Sequence, residues 1–141
     1  MLSRIFENKA NAKKILVVDD EPGEVMVVSK FLKHSGYDVL TASDGLECIA
    51  KAEDELPDLI LLDNLMPNMD GQTALWKLRA SKATKDIPVI MVTALASEKN
   101  IAGAQKSGAV EYVVKPFDYT ILLEKIARTL KSKHKGLVRN E

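Results

Sequence analysis

Four extended segments of this chain end in side chains able to do chemistry. Ile15-Leu16-Val17-Val18 runs into Asp19-Asp20, Leu59-Ile60-Leu61-Leu62 into Asp63, Val89-Ile90-Met91-Val92 into Thr93, and Val110 to Val114 into Lys115. Three carboxylates brought to one place repel one another, and without a counter-charge at least one would be protonated near neutral pH. A hard divalent cation removes the conflict. Mg²⁺ takes oxygen ligands, keeps several waters, and commonly uses one or two protein carboxylates plus a phosphate oxygen. An incomplete acidic cage beside a lysine therefore suits phosphoryl transfer, with Lys115 as a point charge for one phosphoryl oxygen and the Thr93 hydroxyl as a donor to another. The turn after the first segment is Asp-Asp-Glu-Pro-Gly, and there is no Walker loop or Gly-x-Gly-x-x-Gly turn, so a nucleotide is not the expected substrate. No Ser or Cys stands beside a His at a segment end. That leaves a carboxylate as the nucleophile, which would form a mixed phosphoryl anhydride.

Such residues converge only if the segments lie side by side and point the same way. The apolar runs are short, partly β-branched and free of internal polar residues, as expected of strands covered on both faces by helices. Between them lie helical patterns. Pro22 opens the first, with Val25, Val28 and Leu32 on one stripe, and Gly36 ends it. After an extended piece from Tyr37 to Ala42, Leu46, Ile49 and Ala50 mark a second helix that ends before Pro57. A polar loop through Pro67 and Gly71 leads to a third, carrying Leu75 and Leu78. Ser97 to Lys106 predicts a weak fourth, and Tyr119 to Leu130 a fifth with Leu122, Leu123, Ile126 and Leu130 on one face. Five strand-helix units with right-handed crossovers predict a doubly wound α/β fold, a five-stranded parallel sheet flanked by five helices. Ligands of such sheets bind beyond the carboxyl ends of the strands, where Asp19, Asp20, Asp63, Thr93 and Lys115 fall.

Composition narrows the class further. The 141 residues suit one domain, predicted over 14–131, with an extension over 1–13 and a basic tail over 132–141. Lys and Arg total 20, as do Asp and Glu, so no global basic field exists to hold nucleic acid or anionic lipid. Apolar runs of a few residues are far too short to span a bilayer, and Met1 to Lys14 lacks the apolar core of a signal peptide; a cytoplasmic protein is expected. The single cysteine, Cys48, excludes an internal disulfide and reads as a small helix residue. His34 and His134 read as solvent residues, and Trp76 as packing or surface. Leu2, Ile5 and Phe6 fall at helical spacing and predict a short amphipathic leader or an irregular one.

Four blocks carry a resemblance: Val17-Val18-Asp19-Asp20-Glu21-Pro22; Leu61 to Gly71 with Asp63-Asn64-Leu65-Met66-Pro67; Val92-Thr93-Ala94; and Gly108-Ala109 with Tyr112-Val113-Val114-Lys115-Pro116-Phe117. In order and spacing they resemble the receiver domain of bacterial response regulators, of the chemotaxis-regulator kind, over roughly Lys14 to Leu130. The resemblance, not the spacing, implies the flavodoxin-like strand order 2-1-3-4-5. It also implies a phosphorylation-dependent switch of a two-component system or phosphorelay. Asp63 would accept a phosphoryl group from a phosphohistidine on a sensor histidine kinase or histidine phosphotransfer protein. Asp20, Asp63 and the carbonyl of Leu65 would bind Mg²⁺ directly, and Asp19 through water. Lys115 would pair with Asp63 and then with the phosphoryl group, and the Lys115–Pro116 bond would be cis. Thr93 would move toward the phosphoryl oxygen, Tyr112 would swing inward, and small Ala94 would leave the pocket accessible. The face of the fourth helix, fifth strand and fifth helix would then favour a downstream target protein.

Asp19 and Asp20 could merely cap the following helix, since acids favour helix N-termini; their company of Asp63, Thr93 and Lys115 argues otherwise. Asn64 follows the acceptor where an apolar residue is more frequent, which leaves its role open. Leu65 and Leu95 would flank the phosphoryl group with apolar surface and hinder water. A Mg²⁺-dependent aspartyl-phosphate phosphatase is the rival from the enzyme class, but it needs an acid two residues after the nucleophile, where this chain has Leu65. A phosphorylation-independent module is a third reading. Output would come through a binding partner, unless the chain is a receiver detached from a longer regulator or hybrid kinase.

Overall fold

The computed structural model describes residues 12–139, with side chains through Ser132. The leader containing Leu2, Ile5 and Phe6, and the side chains of the basic tail beyond Ser132, lie outside the described residues. The elements alternate as β1 (Lys14–Val18), α1 (Pro22–His34), β2 (Asp38–Ala42), α2 (Gly45–Glu55), β3 (Leu59–Leu62), α3 (Gly71–Ala80), β4 (Val89–Thr93), α4 (Glu98–Lys106), β5 (Glu111–Val114) and α5 (Tyr119–Arg139). All strand pairings are parallel, and the sheet order is β2-β1-β3-β4-β5. The doubly wound α/β sheet and the order expected from the resemblance are both present.

Side chains alternate across a strand, so each apolar run feeds two cores. Ile15, Val17, Leu59, Leu61, Ile90 and Val92 pack on one face against Leu32 of α1 and Leu122 and Ile126 of α5. Leu16, Val18, Ile60, Leu62, Val89 and Met91 pack on the other, against Cys48 of α2, Leu75 and Leu78 of α3 and Ala104 of α4. Fully burying a Leu or Ile is worth roughly 1.5–3 kcal/mol, so two filled faces hold the strand ends in fixed register. Trp76 is exposed, and Cys48 is completely buried.

Local chemistry sets the helix ends. Asp44, Asp70 and Ser97 cap α2, α3 and α4, each side chain accepting from the backbone N–H three residues on. At the start of α2 the Glu47 carboxylate also accepts from the Ser43 N–H at 2.7 Å. Helix α1 closes with the Tyr37 N–H on the Leu32 carbonyl and Gly36 at φ 99°; Tyr37 thus ends the helix rather than starting β2. The last helix runs past the expected Leu130 to Arg139, because 131–139 contains no proline and several good helix formers. Arg79 of α3 donates to the carbonyls of Lys85, Ile87 and Gly108, tying α3 to the entries of β4 and β5.

Candidate functional site

The parallel ladder continues one residue past the strands and carries the site with it. The Asp19 N–H donates to Ala42 O at 3.1 Å, the Asp63 N–H to Val18 O at 3.0 Å, and the Lys115 N–H to Thr93 O at 2.9 Å. Asp19 and Asp63 consequently stand side by side, each only 7% exposed, with Asp20 beside them on the surface. One carboxylate oxygen from each of Asp19, Asp20 and Asp63 lies within 4.8 Å of the others, the one such cluster of His, Cys, Asp or Glu among the described residues. A set of hard oxygen donors from three carboxylates, part buried and part open to water, fits a small divalent cation.

Lys115 reaches into this cluster from the end of β5. Its Nζ donates to Asp19 Oδ2 at 2.8 Å and to Asp63 Oδ2 at 3.2 Å. Burial alone would lower its pKa, but the hydrogen bond to Asp19 and the charge of Asp63 outweigh that and raise it above the ordinary lysine value. Lys115 is therefore a permanent cation at any physiological pH. The peptide bond from Lys115 to Pro116 is cis.

Thr93 is completely buried at the end of β4, and its Oγ1 accepts from the Leu95 N–H at 3.5 Å. The Tyr112 hydroxyl donates to the carbonyl of the same Leu95 at 2.7 Å. One residue thus connects the strand-end hydroxyl to the tyrosine of β5. Burial, and secondarily the charge of Asp63, raise the Tyr112 pKa, so it remains a neutral donor. Ala94 is exposed, and Leu65, two residues beyond Asp63, is 57% exposed with its N–H 3.4 Å from Asp63 Oδ1.

Asp19 has a second duty. Its Oδ1 accepts from the Glu21 N–H at 3.0 Å, while the N-cap residue Glu21 makes no side-chain cap of its own. Capping and site chemistry are thus combined in one carboxylate. Asn64 finds its partner in the N–H of Gln72, 2.8 Å from Asn64 Oδ1, which closes the loop after β3 onto the start of α3.

Two features escaped the sequence reading. Glu24, in the first turn of α1, sits 3.3 Å from Lys115 Nζ as a further carboxylate. Its position one turn after Asp20, on a helix opened by Pro22, was the available signal. Gln72 is the other: its Nε2 donates to Gly103 O at 3.0 Å and Ser107 Oγ at 2.6 Å, linking α3 to α4, and nothing in the local pattern marks it.

Comparison with known proteins agrees with the geometry. The chain is 41% identical over 118 residues to the DNA-binding dual master transcriptional regulator RpaA of Synechocystis sp., covering 84% of this chain and 49% of that one. It spans about half or less of the first curated relatives it matches, 49%, 43% and 25% of their lengths. Among solved structures, a CheY-like response regulator receiver domain protein from Methanospirillum hungatei superimposes with a TM-score of 0.84 at 34% identity, covering 89% of this chain and 99% of that one. The receiver domain of the sensor histidine kinase PA1611 from Pseudomonas aeruginosa, with a magnesium ion coordinated in its active site cleft, does so at 0.79 and 30% identity, covering 85% and 98%. The family model for the response regulator receiver domain matches residues 15–127. That match takes in the whole sheet apart from Lys14, and the chain accordingly belongs to the response regulator receiver domain family.

Proposed function

We propose that this receiver domain is a phosphorylation-dependent signalling switch in which Asp63 takes a phosphoryl group from a phosphohistidine on a sensor histidine kinase or histidine phosphotransfer protein. The observation that carries the proposal is Lys115 Nζ lying between Asp19 at 2.8 Å and Asp63 at 3.2 Å, a fixed cation at the edge of a three-carboxylate cluster. An oxygen of Asp63 attacks phosphorus, the P–N bond of the donor breaks, and its electron pair returns to the imidazole nitrogen, which takes up a proton. The product is an acyl phosphate on Asp63.

Asp20, Asp63 and the Leu65 carbonyl would hold Mg²⁺ directly, and Asp19 through a water. The chemistry the cation supplies when bound is neutralisation of the clustered carboxylates and of the phosphoryl oxygens. Lys115 contributes its charge to a phosphoryl oxygen, and the buried Thr93 hydroxyl donates to another. Since Thr93 Oγ1 and the Tyr112 hydroxyl both engage Leu95, a shift of Thr93 toward the phosphoryl group disturbs the tyrosine as well. The added charge of about −1.5 to −2 is local; it reaches a downstream target by changing the populations of two arrangements of the face made by α4, β5 and α5. No helix among the described residues is long and apolar enough to cross a membrane.

Incubation with acetyl phosphate and Mg²⁺ followed by intact mass tests the proposal. The protein is expected to gain one phosphoryl group and Asp63→Asn none; equal gain in both would exclude Asp63 as the acceptor.

A further inference from the structure

We propose that Glu24 discriminates against small anionic phosphodonors by setting a further negative charge beside Lys115, where an incoming phosphoryl oxygen must bind. The inference rests on Asp63 being the acceptor, as argued above. A lysine ammonium has three N–H groups. Here three carboxylates surround it: Asp19 at 2.8 Å, Asp63 at 3.2 Å and Glu24 at 3.3 Å. Two of its hydrogens bond to Asp19 and Asp63, while Glu24 stands beside them as an ion-pair partner, so a phosphoryl oxygen approaching Lys115 competes with the Glu24 charge.

The three are not equally held. Asp19 is nearly buried and its second oxygen caps α1 through the Glu21 N–H. Asp63 is equally buried and is the nucleophile itself. The Glu24 side chain is 47% exposed and makes no other polar contact among the described residues. It is anchored only by the ion pair, and a half-exposed pair is worth little against hydration. Glu24 is thus the loosest of the three partners of Lys115, and its charge stands at the mouth of the site.

That mouth holds the carboxylates of Asp19, Asp20, Asp63 and Glu24 against the single ammonium of Lys115, and a bound Mg²⁺ would offset only two of the four negative charges, so the mouth stays net negative while Glu24 is charged. A free acyl phosphate must enter this field on its own charge, whereas a phosphohistidine carried on a docked protein is delivered at high effective concentration. Glu24 therefore penalises the free donor more than the protein-borne one. The penalty is electrostatic, so it grows with the negative charge of the donor and shrinks with salt. A purely structural role for Glu24 predicts neither dependence.

The experiment compares the protein with Glu24→Gln at saturating Mg²⁺, following phosphoryl gain by intact mass at low donor concentration. The donors are acetyl phosphate, close to doubly charged near neutral pH, and phosphoramidate, with about one net negative charge. Glu24→Gln is expected to accelerate uptake about fivefold from acetyl phosphate and about twofold from phosphoramidate, the smaller factor being the square root of the larger because the energy scales with donor charge. Both gains fall toward unity as ionic strength is raised. Equal rates in the two proteins, a slower variant, or the same gain with both donors at all salt concentrations would overturn the assignment. Should Glu24→Gln lower the unfolding midpoint, Glu24→Met, also a good helix former, is compared in its place. If neither protein gains the mass from either donor, the fault lies with Asp63 as acceptor and not with Glu24.

Discussion

Gly71 lies so close beneath Asp63 that a Cβ built on it would stand 2.2 Å from the Asp63 carbonyl oxygen and 2.8 Å from the Asn64 Cα. Its N–H donates to the Asn64 carbonyl at 2.9 Å, so the first turn of α3 is drawn against the backbone that carries Asp63. Both atoms in the way belong to the main chain, which cannot swing aside as a side chain can.

Gly71→Ala is therefore expected to force the loop after β3 away from α3, lowering stability by about 1–3 kcal/mol, the usual cost of overpacking. Urea unfolding should show a lower midpoint with unchanged slope, and phosphoryl uptake from acetyl phosphate should slow in the same variant. An unchanged midpoint would mean that Gly71 is not closely packed.

Leu65 presents apolar surface two residues beyond Asp63. In Leu65→Asn an amide replaces it and can hold a water by a hydrogen bond worth about 0.5–1.5 kcal/mol, which corresponds to roughly two- to tenfold in rate. Phosphorylated Leu65→Asn should lose its phosphoryl group faster than the parent by that factor in a chase monitored by mass. A lifetime equal to or longer than the parent's would remove Leu65 from the control of hydrolysis.

Gln72 fastens α4 from α3 through Gly103 and Ser107. Gln72→Leu forfeits both bonds, each worth about 0.5–1.5 kcal/mol net. The amides of α4 should then exchange with solvent about tenfold faster, while uptake of the phosphoryl group at Asp63 stays within about twofold of the parent. Unaltered exchange in α4 would show that the bonds do not restrain the helix.

Cys48 gives a pH dependence with a definite sign. Burial, helped by the charge of Asp44, pushes its thiol from the ordinary 9.0 up to about 12. Above 9.0 the unfolded chain releases this proton and the folded chain keeps it, so the stability contributed by the neutral thiol is complete below 9.0 and is lost as pH rises toward about 12. Cys48 should add a slope on the order of 1.4 kcal/mol per pH unit in that window, read as the difference between the parent and Cys48→Ala, since the raised tyrosines titrate there in both proteins. The parent should also resist thiol reagents near pH 8 until it unfolds.

The sequence alone determined the alternation of strands and helices and the strand ends at which chemistry would gather, because apolar runs, prolines and caps act over a few residues. Val18 followed by Asp19, and Leu62 followed by Asp63, already placed acids at one edge of a parallel sheet. The strand order came from family resemblance, since local patterns do not say which strand pairs with which. Tertiary structure decided the rest. Glu24 reaches Lys115 only because α1 packs against the same sheet face as α5, Asn64 bonds to Gln72 only because the loop after β3 folds back, and Gly71 is needed only where α3 approaches that loop. Each depends on how closely and at what angle two elements dock, a property of packed surfaces distant along the chain.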